Sequence, residues 1–363
     1  MHAARRTERF ELVVIGGGQA GLAIGYWLAK HDIDFVILDA NARTGDAWRN
    51  RWDSLKLFTP ARYSGLPGLG FDGDPYRFPT RDEVADYLEW YARVFELPVR
   101  HNVQVSKVRR TGSGYEITSH GTTFEADNVI VATGPLRVPR VPAFASEIDP
   151  AVVQLHSSEY RKPAQLPDGA VLVVGAGNSG SQIARELAKT RTVYLAGRAV
   201  GSMPRRVLGR DVFDWLWHTV MIPGAESMIG RRIRANILGS TDALIGLTEK
   251  DLRVPNLTRI GRVTHIEQGQ PKSANDALPD VASVVWCTGF RPDYSWIELP
   301  AFDADGFPMH QRGITAVSGL YFVGLRFQHR LNSSLIGGVG ADAQFVADAV
   351  ASRYGRSRKR TAA

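Results

Sequence analysis

Cysteine is almost absent from this 363-residue chain, with Cys287 its sole example. No disulfide can close within the chain, and no Cys-x-x-Cys pair exists to pass electrons to a thiol partner, so a reducing cytoplasm is the expected setting. Long apolar runs are missing too. The best candidate, Arg5 to Ala29, is broken by Gly16, Gly17, Gly18, Gly21 and Gly25. It reads as a buried strand and a glycine turn rather than a signal or membrane segment. The nine histidines show no His-Glu-x-x-His or related ligand spacing, so no metal is expected. The body of the chain also lacks net charge. The formal +7 is concentrated in residues 1–9, with Arg5, Arg6 and Arg9, and in residues 351–363, with Arg353, Arg356, Arg358, Lys359 and Arg360. Both ends are expected to be disordered basic tails, and neither nucleic acid nor a membrane is an expected partner.

Glycine, by contrast, is abundant and patterned. "LVVIGGGQAG" at residues 12–21 and "VLVVGAGNSG" at residues 171–180 each read as a β-branched strand, a G-x-G-x-x-G turn and a helix start. Gly16, Gly18 and Gly21 align with Gly175, Gly177 and Gly180 without gaps. Each unit has a downstream echo, "NVIVATGP" at 128–135 with Thr133 and Gly134, and "SVVWCTGF" at 283–290 with Thr288 and Gly289. In such a loop the first glycine permits the turn, the second admits a pyrophosphate to the backbone, and the third lets helix and strand pack closely. The phosphates then sit on the free N–H groups and positive end of the helix. Two such units predict an α/β protein with two Rossmann-like dinucleotide-binding domains.

The residue at the end of each second strand separates the two sites. In the first unit it is Asp39, an acceptor for both ribose hydroxyls of FAD or NAD. At the same offset the second unit has Arg198, whose fork would grip a 2′-phosphate and so select NADPH, with Arg205 and Arg206 as further candidates. A solvated surface charge is the other reading of Arg198.

The organisation follows from these units. Thr80 and Glu83 form a capping box ahead of an apolar stripe, Val84, Leu88, Tyr91 and Phe95. Three strand-like runs between about 103 and 134 predict an antiparallel meander. A proline-rich linker, "GPLRVPRVPAF", leaves the first domain, and a second near 290–300 returns to it. The boundaries are therefore 10–140 and 290–350 for a discontinuous FAD domain and 150–289 for an inserted NADPH domain. A helical insert at about 201–250, "DVFDWLWHTVMIPGAESMIGRRIRANILG" at its centre, has no counterpart in the first half. It reads as a lid over an apolar channel (Phe213, Trp215, Leu216, Trp217), as an interfacial helix (Arg231, Arg232, Arg234), or as core helices or a homodimer contact.

The motifs "GGGQAG", "GDAWRNRWDSLKLFTP", "VATGP", "HSSEY", "VLVVGAGNSG", "WCTGFRPD" and "GLYFVG" together resemble those of flavin-containing monooxygenases. The likeness is greatest to short bacterial members near the plant indole-pyruvate monooxygenases. It spans roughly residues 10–350 and implies a glutathione-reductase-like pair of domains. By that resemblance Gly16, Gly18, Gln19 and Gly21 hold the FAD pyrophosphate and Asp39 its ribose. Gly45, Trp48 and Arg49 line the flavin, with Trp48 as a core aromatic the competing reading. Val105 meets the adenine through its backbone, and Gly324 approaches the ribityl chain. "SLIGGVG" at 334–340, including Gly337, opens a helix toward the isoalloxazine. Gly175, Gly177, Asn178, Ser179 and Gly180 hold NADPH, with the Thr133–Gly134 and Thr288–Gly289 echoes flanking the cofactors.

The implied activity is NADPH-driven formation of a flavin hydroperoxide that transfers one oxygen of O2 to a small hydrophobic organic substrate. The alternative is a flavoprotein reductase passing electrons to a non-thiol acceptor. Two departures from the family stand out. The fingerprint F-x-G-x-x-x-H-x-x-x-[FYW] survives only as His156 and Tyr160, with Pro150 and Val152 where Phe and Gly belong, and Phe58 replaces an asparagine beside the flavin. Gln328, His329 and Asn332, in the loop after Gly324, are the candidate substrate-facing groups or else surface residues.

Overall fold

A computed structural model describes residues 6–361 except 113, 136–137, 220, 239–242 and 275. The first sheet begins with β1 (Arg6–Ile15), β2 (Phe35–Leu38) and β3 (Val99–Arg100). It continues with β4 (Val105–Arg110), β5 (Tyr115–Ser119) and β6 (Thr122–Val131). Its order is Ile297–Glu298, β4, β5, β6, β1, β2, β3, and Leu320–Phe322 joins the far end of β6. β1 lies parallel to β2 and β6, so a crossover is required between β1 and β2. That crossover is α1 (Gln19–Lys30). The meander appears as expected, with β4, β5 and β6 antiparallel.

Alternation along β1 assigns the two faces. Leu12 and Val14 join α1, α3 (Arg81–Val94) and α7 (Val339–Thr361) in one core, while Val13 and Ile15 join the meander in another. The α3 stripe Val84, Leu88 and Tyr91 is fully buried there, and Thr80 with Glu83 closes the expected capping box.

The second sheet is wholly parallel. It contains β8 (Val153–His156), β9 (Val171–Val174) and β10 (Val193–Ala196), in the order Leu257–Ile260, β10, β9, Ser283–Trp286, β8. Both faces are covered, by Val171, Val173 and Leu195 on one side and Leu172, Val284 and Trp286 on the other. The chain leaves the first sheet through β7 (Val138–Pro139) and returns through Phe290–Arg291. These two connections pair antiparallel.

The tails differ from the expectation of disorder. Arg6 to Arg9 extend β1 against Thr122 to Glu125, and residues 351–361 continue α7. Tail basicity predicted solvation. It did not account for the open edge of β6 or for the Ala-rich helix that the basic run prolongs. Residues 1–5 and 362–363 lie outside the described residues. Among the described residues no helix is long and apolar enough to cross a membrane.

Candidate functional site

The two glycine loops have the same geometry. Gly16 has φ +108° and Gly175 φ +111°, a region costly for any side chain. A Cβ on Gly21 would lie 1.9 Å from the Gly16 carbonyl oxygen, and one on Gly180 would lie 1.8 Å from that of Gly175. The third glycine of each loop is thus required by contact between helix and turn. Gly18 and Gly177 stand at the N-termini of α1 and α4 (Asn178–Leu187), and neither helix has a capping side chain or an acid in its first turn. Their first N–H groups are left for an anion. Nothing lies within 4 Å of a Cβ built on Gly18, Gly134 or Gly289, so backbone is open to a ligand at all three. The Thr133 hydroxyl is buried without a described partner.

Asp39 is buried at the end of β2, where Oδ2 accepts the Gly17 N–H at 2.6 Å. Oδ1 accepts both the backbone and side-chain N–H of Asn41 at 2.7 Å. The carboxylate is therefore fixed in orientation with lone pairs to spare for ribose hydroxyls. Asn41 was not anticipated, although an Asn two residues after an Asp is a recognisable turn signal. Arg198, at the corresponding place after β10, is exposed and makes no ion pair with a described residue. The two strand ends therefore present opposite charge at equivalent positions.

The second echo closes against its own loop. A Cβ on Gly175 would lie 2.3 Å from the Cys287 carbonyl oxygen, and the Thr288 hydroxyl donates to the Arg140 carbonyl. His156 is buried beneath this junction. Its Nδ1 lies 2.8 Å from Ser158 Oγ and its Nε2 3.1 Å from the Gly289 carbonyl, and burial lowers its pKa. The surviving half of the fingerprint thus ties the entry strand to the Thr288–Gly289 turn. Burial pushes the Cys287 thiol up to about 12, which leaves little thiolate for chemistry.

The family described as pyridine nucleotide-disulphide oxidoreductase matches residues 13–206. An uncharacterized CzcO-like oxidoreductase of Geobacillus kaustophilus is 43% identical, covering 93% of this chain and 97% of its own. A probable indole-3-pyruvate monooxygenase of Arabidopsis thaliana is 26% identical, covering 97% and 89%. A flavin-containing monooxygenase of Stenotrophomonas maltophilia matches with a TM-score of 0.75 and 27% identity, covering 95% of this chain and 99% of that one. The chain belongs to the flavin monooxygenase family of these oxidoreductases. It is a flavin-dependent oxidoreductase of α/β fold.

Within this flavin monooxygenase several residues expected at the cofactors are engaged elsewhere. Arg49 is bound to its own chain. Its guanidinium donates to the Thr44 carbonyl at 2.8 Å, to Asp46 at 3.3 Å, and to Asp86 and Glu89 of α3 at 2.7 Å each. It fastens the short α2 (Asp46–Arg49) to α3. Gly45 is required at the same contact, because a Cβ there would lie 2.5 Å from the Ala85 carbonyl oxygen. Trp48 packs against both the α1 core and the second-domain core, bridging them. Val105 buries its side chain in the meander core, two residues after Val103, whose N–H bonds the Asp39 carbonyl.

Asn178 does not offer its side chain to a nucleotide. Oδ1 accepts the Ile245 N–H at 2.9 Å and Nδ2 donates to the Ala243 carbonyl at 3.1 Å. It therefore anchors the insert. Arg205 is likewise engaged within the chain. It pairs with Asp211 at 2.6 Å, donates to the Phe58 carbonyl at 2.6 Å, and lies 3.8 Å from the Phe78 ring centroid. Gln328 is 2% exposed. Its amide donates to the Phe322 and Arg312 carbonyls and accepts the Leu325 N–H, so it clamps its own loop instead of facing substrate. His329 points its ring at Gly224 of the insert and lines a cavity of about 640 Å³ with His310, Arg312 and Phe345. Asn332 keeps its place in the turn before α7, bonding through its carbonyl to Leu335 N–H.

The first part of the insert packs as core, one of the readings its sequence allowed. Its α5 (Val212–Leu216) contributes Val212 and Phe213 to a core with Tyr63 and Met221, flanked by Phe58, Trp217, Leu331 and Leu335. Phe58 stacks on Phe213 and Tyr63 on Trp217, with ring centroids 6.1 and 4.9 Å apart. The Tyr63 hydroxyl donates to Asp214 at 2.7 Å. This buried hydroxyl, pushed up to about 12, was missed because its partner lies 151 residues away. α6 (Met228–Leu238) leaves Met228 and Ile229 exposed. Gly324 and Gly337 meet α1 and the Tyr63 loop closely, with Cβ positions 2.7 Å from Ala20 Cβ and 2.1 Å from the Tyr63 carbonyl oxygen.

Proposed function

We propose that the protein is an FAD-dependent, NADPH-consuming monooxygenase of the cytoplasm. In this reading it inserts one oxygen atom of O2 into a small hydrophobic organic substrate. The observation that carries the reading is the pair of equivalent uncapped helix starts whose second strands end on opposite charges, Asp39 and Arg198. Residues 10–140 and 290–350 hold FAD: Gly16, Gly18, Gln19 and Gly21 receive its phosphates and Asp39 its adenosine ribose. Residues 150–289 hold NADPH on Gly175, Gly177, Ser179 and Gly180, with Arg198 as the group that distinguishes the 2′-phosphate.

FAD reduced by a nicotinamide dinucleotide would supply the two electrons that activate O2, one atom of which passes to the substrate while the other leaves as water. The chain's own part is to orient and to exclude water. Phe58, packed on Phe213 and held through its carbonyl by Arg205, puts an apolar ring where the family has an amide. Such a wall dries the site and favours an apolar substrate. Asn332, next to the start of α7, is the remaining polar side chain proposed to face the reacting atoms. The apolar cluster around Tyr63, Phe213 and Trp217 supports the choice of a hydrophobic substrate class.

The test is NADPH oxidation with purified holoenzyme under 18O2 and a panel of amines, sulfides and ketones. One labelled oxygen in a product, with oxygen uptake matching NADPH consumed, is expected. NADPH oxidation that consumes no oxygen and needs an added quinone or dye would overturn the proposal.

A further inference from the structure

Arg51 is a cation without a counter-ion at the junction of the two domains. It lies in the loop after α2, yet its guanidinium sits 5.5 Å from the centroid of Phe290 in the returning connection. Phe290 in turn meets the His156 ring edge-on at 4.8 Å and 86°. A guanidinium, a ring and an imidazole thus follow one another across the junction. The carboxylates nearby are engaged: Asp53 pairs with Arg81 at 2.9 Å, and Glu159 accepts the His156 N–H at 2.7 Å. Among the described residues none pairs with Arg51. A second cation, Arg161, is close by, donating to the Ser158 and Tyr160 carbonyls at 2.7 and 3.2 Å. Burial and the Arg161 charge both act against the charged form of Arg51.

A partly desolvated cation facing another cation is unfavourable until an anion joins them. A cation–π contact to one phenyl ring, about 0.5–1 kcal/mol, does not offset that. The position identifies the anion. The Gly175 turn abuts the Cys287 carbonyl, three residues before Phe290, so the second glycine loop opens onto the same junction. We propose that Arg51, a residue of the first domain, binds the pyrophosphate of the nicotinamide dinucleotide held by the second domain, with Arg161 as the supporting charge. The inference rests on the reading that the second loop holds such a dinucleotide. It makes Arg51 a positioning residue that brings the dinucleotide against the first domain.

The experiment measures NADP+ and NAD+ dissociation constants of the FAD-loaded wild type, Arg51→Gln and Arg51→Lys, with flavin absorbance reporting intact folding. Removing one charge-assisted contact is expected to weaken both nucleotides by the same factor, roughly 10- to 100-fold, and lysine is expected to recover most of it. An Arg51→Gln enzyme that binds both nucleotides within twofold of wild type would overturn the proposal. So would weakening of NADP+ alone, which would assign Arg51 to the 2′-phosphate, or a lysine variant as weak as glutamine, which would make its role packing. If Arg51→Gln does not retain FAD, Arg161→Gln is used, with weakening of both nucleotides expected and unchanged binding overturning the proposal. A wild type that binds neither nucleotide would overturn the underlying reading as well, an outcome distinct from all of these.

Discussion

Replacing Gly180 by alanine separates the two nucleotide sites. The new Cβ would lie 1.8 Å from the Gly175 carbonyl oxygen and 3.2 Å from Cys287 Cβ. Helix and turn must part by about 1.5 Å before the first contact becomes ordinary. Neither side yields freely. Gly175 is held by its N–H to the Ala196 carbonyl at 2.9 Å, and α4 is held by Ser181, whose N–H donates to the Gly177 carbonyl at 2.9 Å and whose hydroxyl donates to the Ala176 carbonyl at 3.2 Å. Overpacking of this kind costs about 1–3 kcal/mol, which a domain of this size survives. Displacing a phosphate cradle by about 1 Å, however, costs on the order of 100-fold in function. Gly180→Ala is therefore expected to retain FAD while anaerobic NADPH titration bleaches the flavin with a dissociation constant raised about 100-fold. Gly21→Ala, with the equivalent 1.9 Å clash, is expected to purify without flavin. A Gly180→Ala enzyme with unchanged NADPH affinity would refute the assignment of the second loop.

Arg198→Ala is expected to lower the ratio of kcat/KM for NADPH over NADH by about 10- to 100-fold, with NADH kinetics little changed; an unchanged ratio would free Arg198 of the 2′-phosphate. Arg49→Gln is expected to lower unfolding free energy by about 1–3 kcal/mol in urea titrations while leaving kcat near wild type, since its bonds go to α3; a loss of activity without a loss of stability would return it to the flavin. His310 is half-buried, and its pKa falls to about 4 from desolvation and the Arg234 charge, only partly countered by Asp342. Its folded pKa lies below the unfolded value, so stability is present above about 6.5 and is lost as pH falls toward 4. His310→Asn, which keeps an acceptor for the Gly313 N–H, is expected to lose less Tm than wild type between pH 7.5 and 5. Equal losses would count against the assignment.

The repeated glycine loops, Asp39, the capping box at Thr80 and the meander were legible because each is encoded within about 25 residues, by period, turn chemistry or offset. The side-chain partners of Arg49, Asn178, Arg205 and Gln328 escaped the sequence for one shared reason. Their motif positions are correct, but their polar atoms are satisfied by groups 37 to 147 residues away, or by their own loop's backbone. Sequence spacing carries no information about such partners. The insert shows the same limit, since its apolar face meets Tyr63 and Leu335 from distant parts of the chain. Basic residues after position 350 suggested a frayed end, yet Val346, Ala347 and Val350 keep a buried helical stripe that carries the helix onward.

The pairing of β7 with Phe290–Arg291 ties the outgoing and returning connections together. A single connecting strand would act as a universal joint, free to swivel. Two strands zipped side by side form a strap instead, soft when bent out of its plane and stiff against sliding or twisting. Away from the ribbon the halves are also joined, by the Tyr63–Asp214 hydrogen bond and the Phe58–Phe213 stack. Rotation of one sheet against the other would have to break this short ladder.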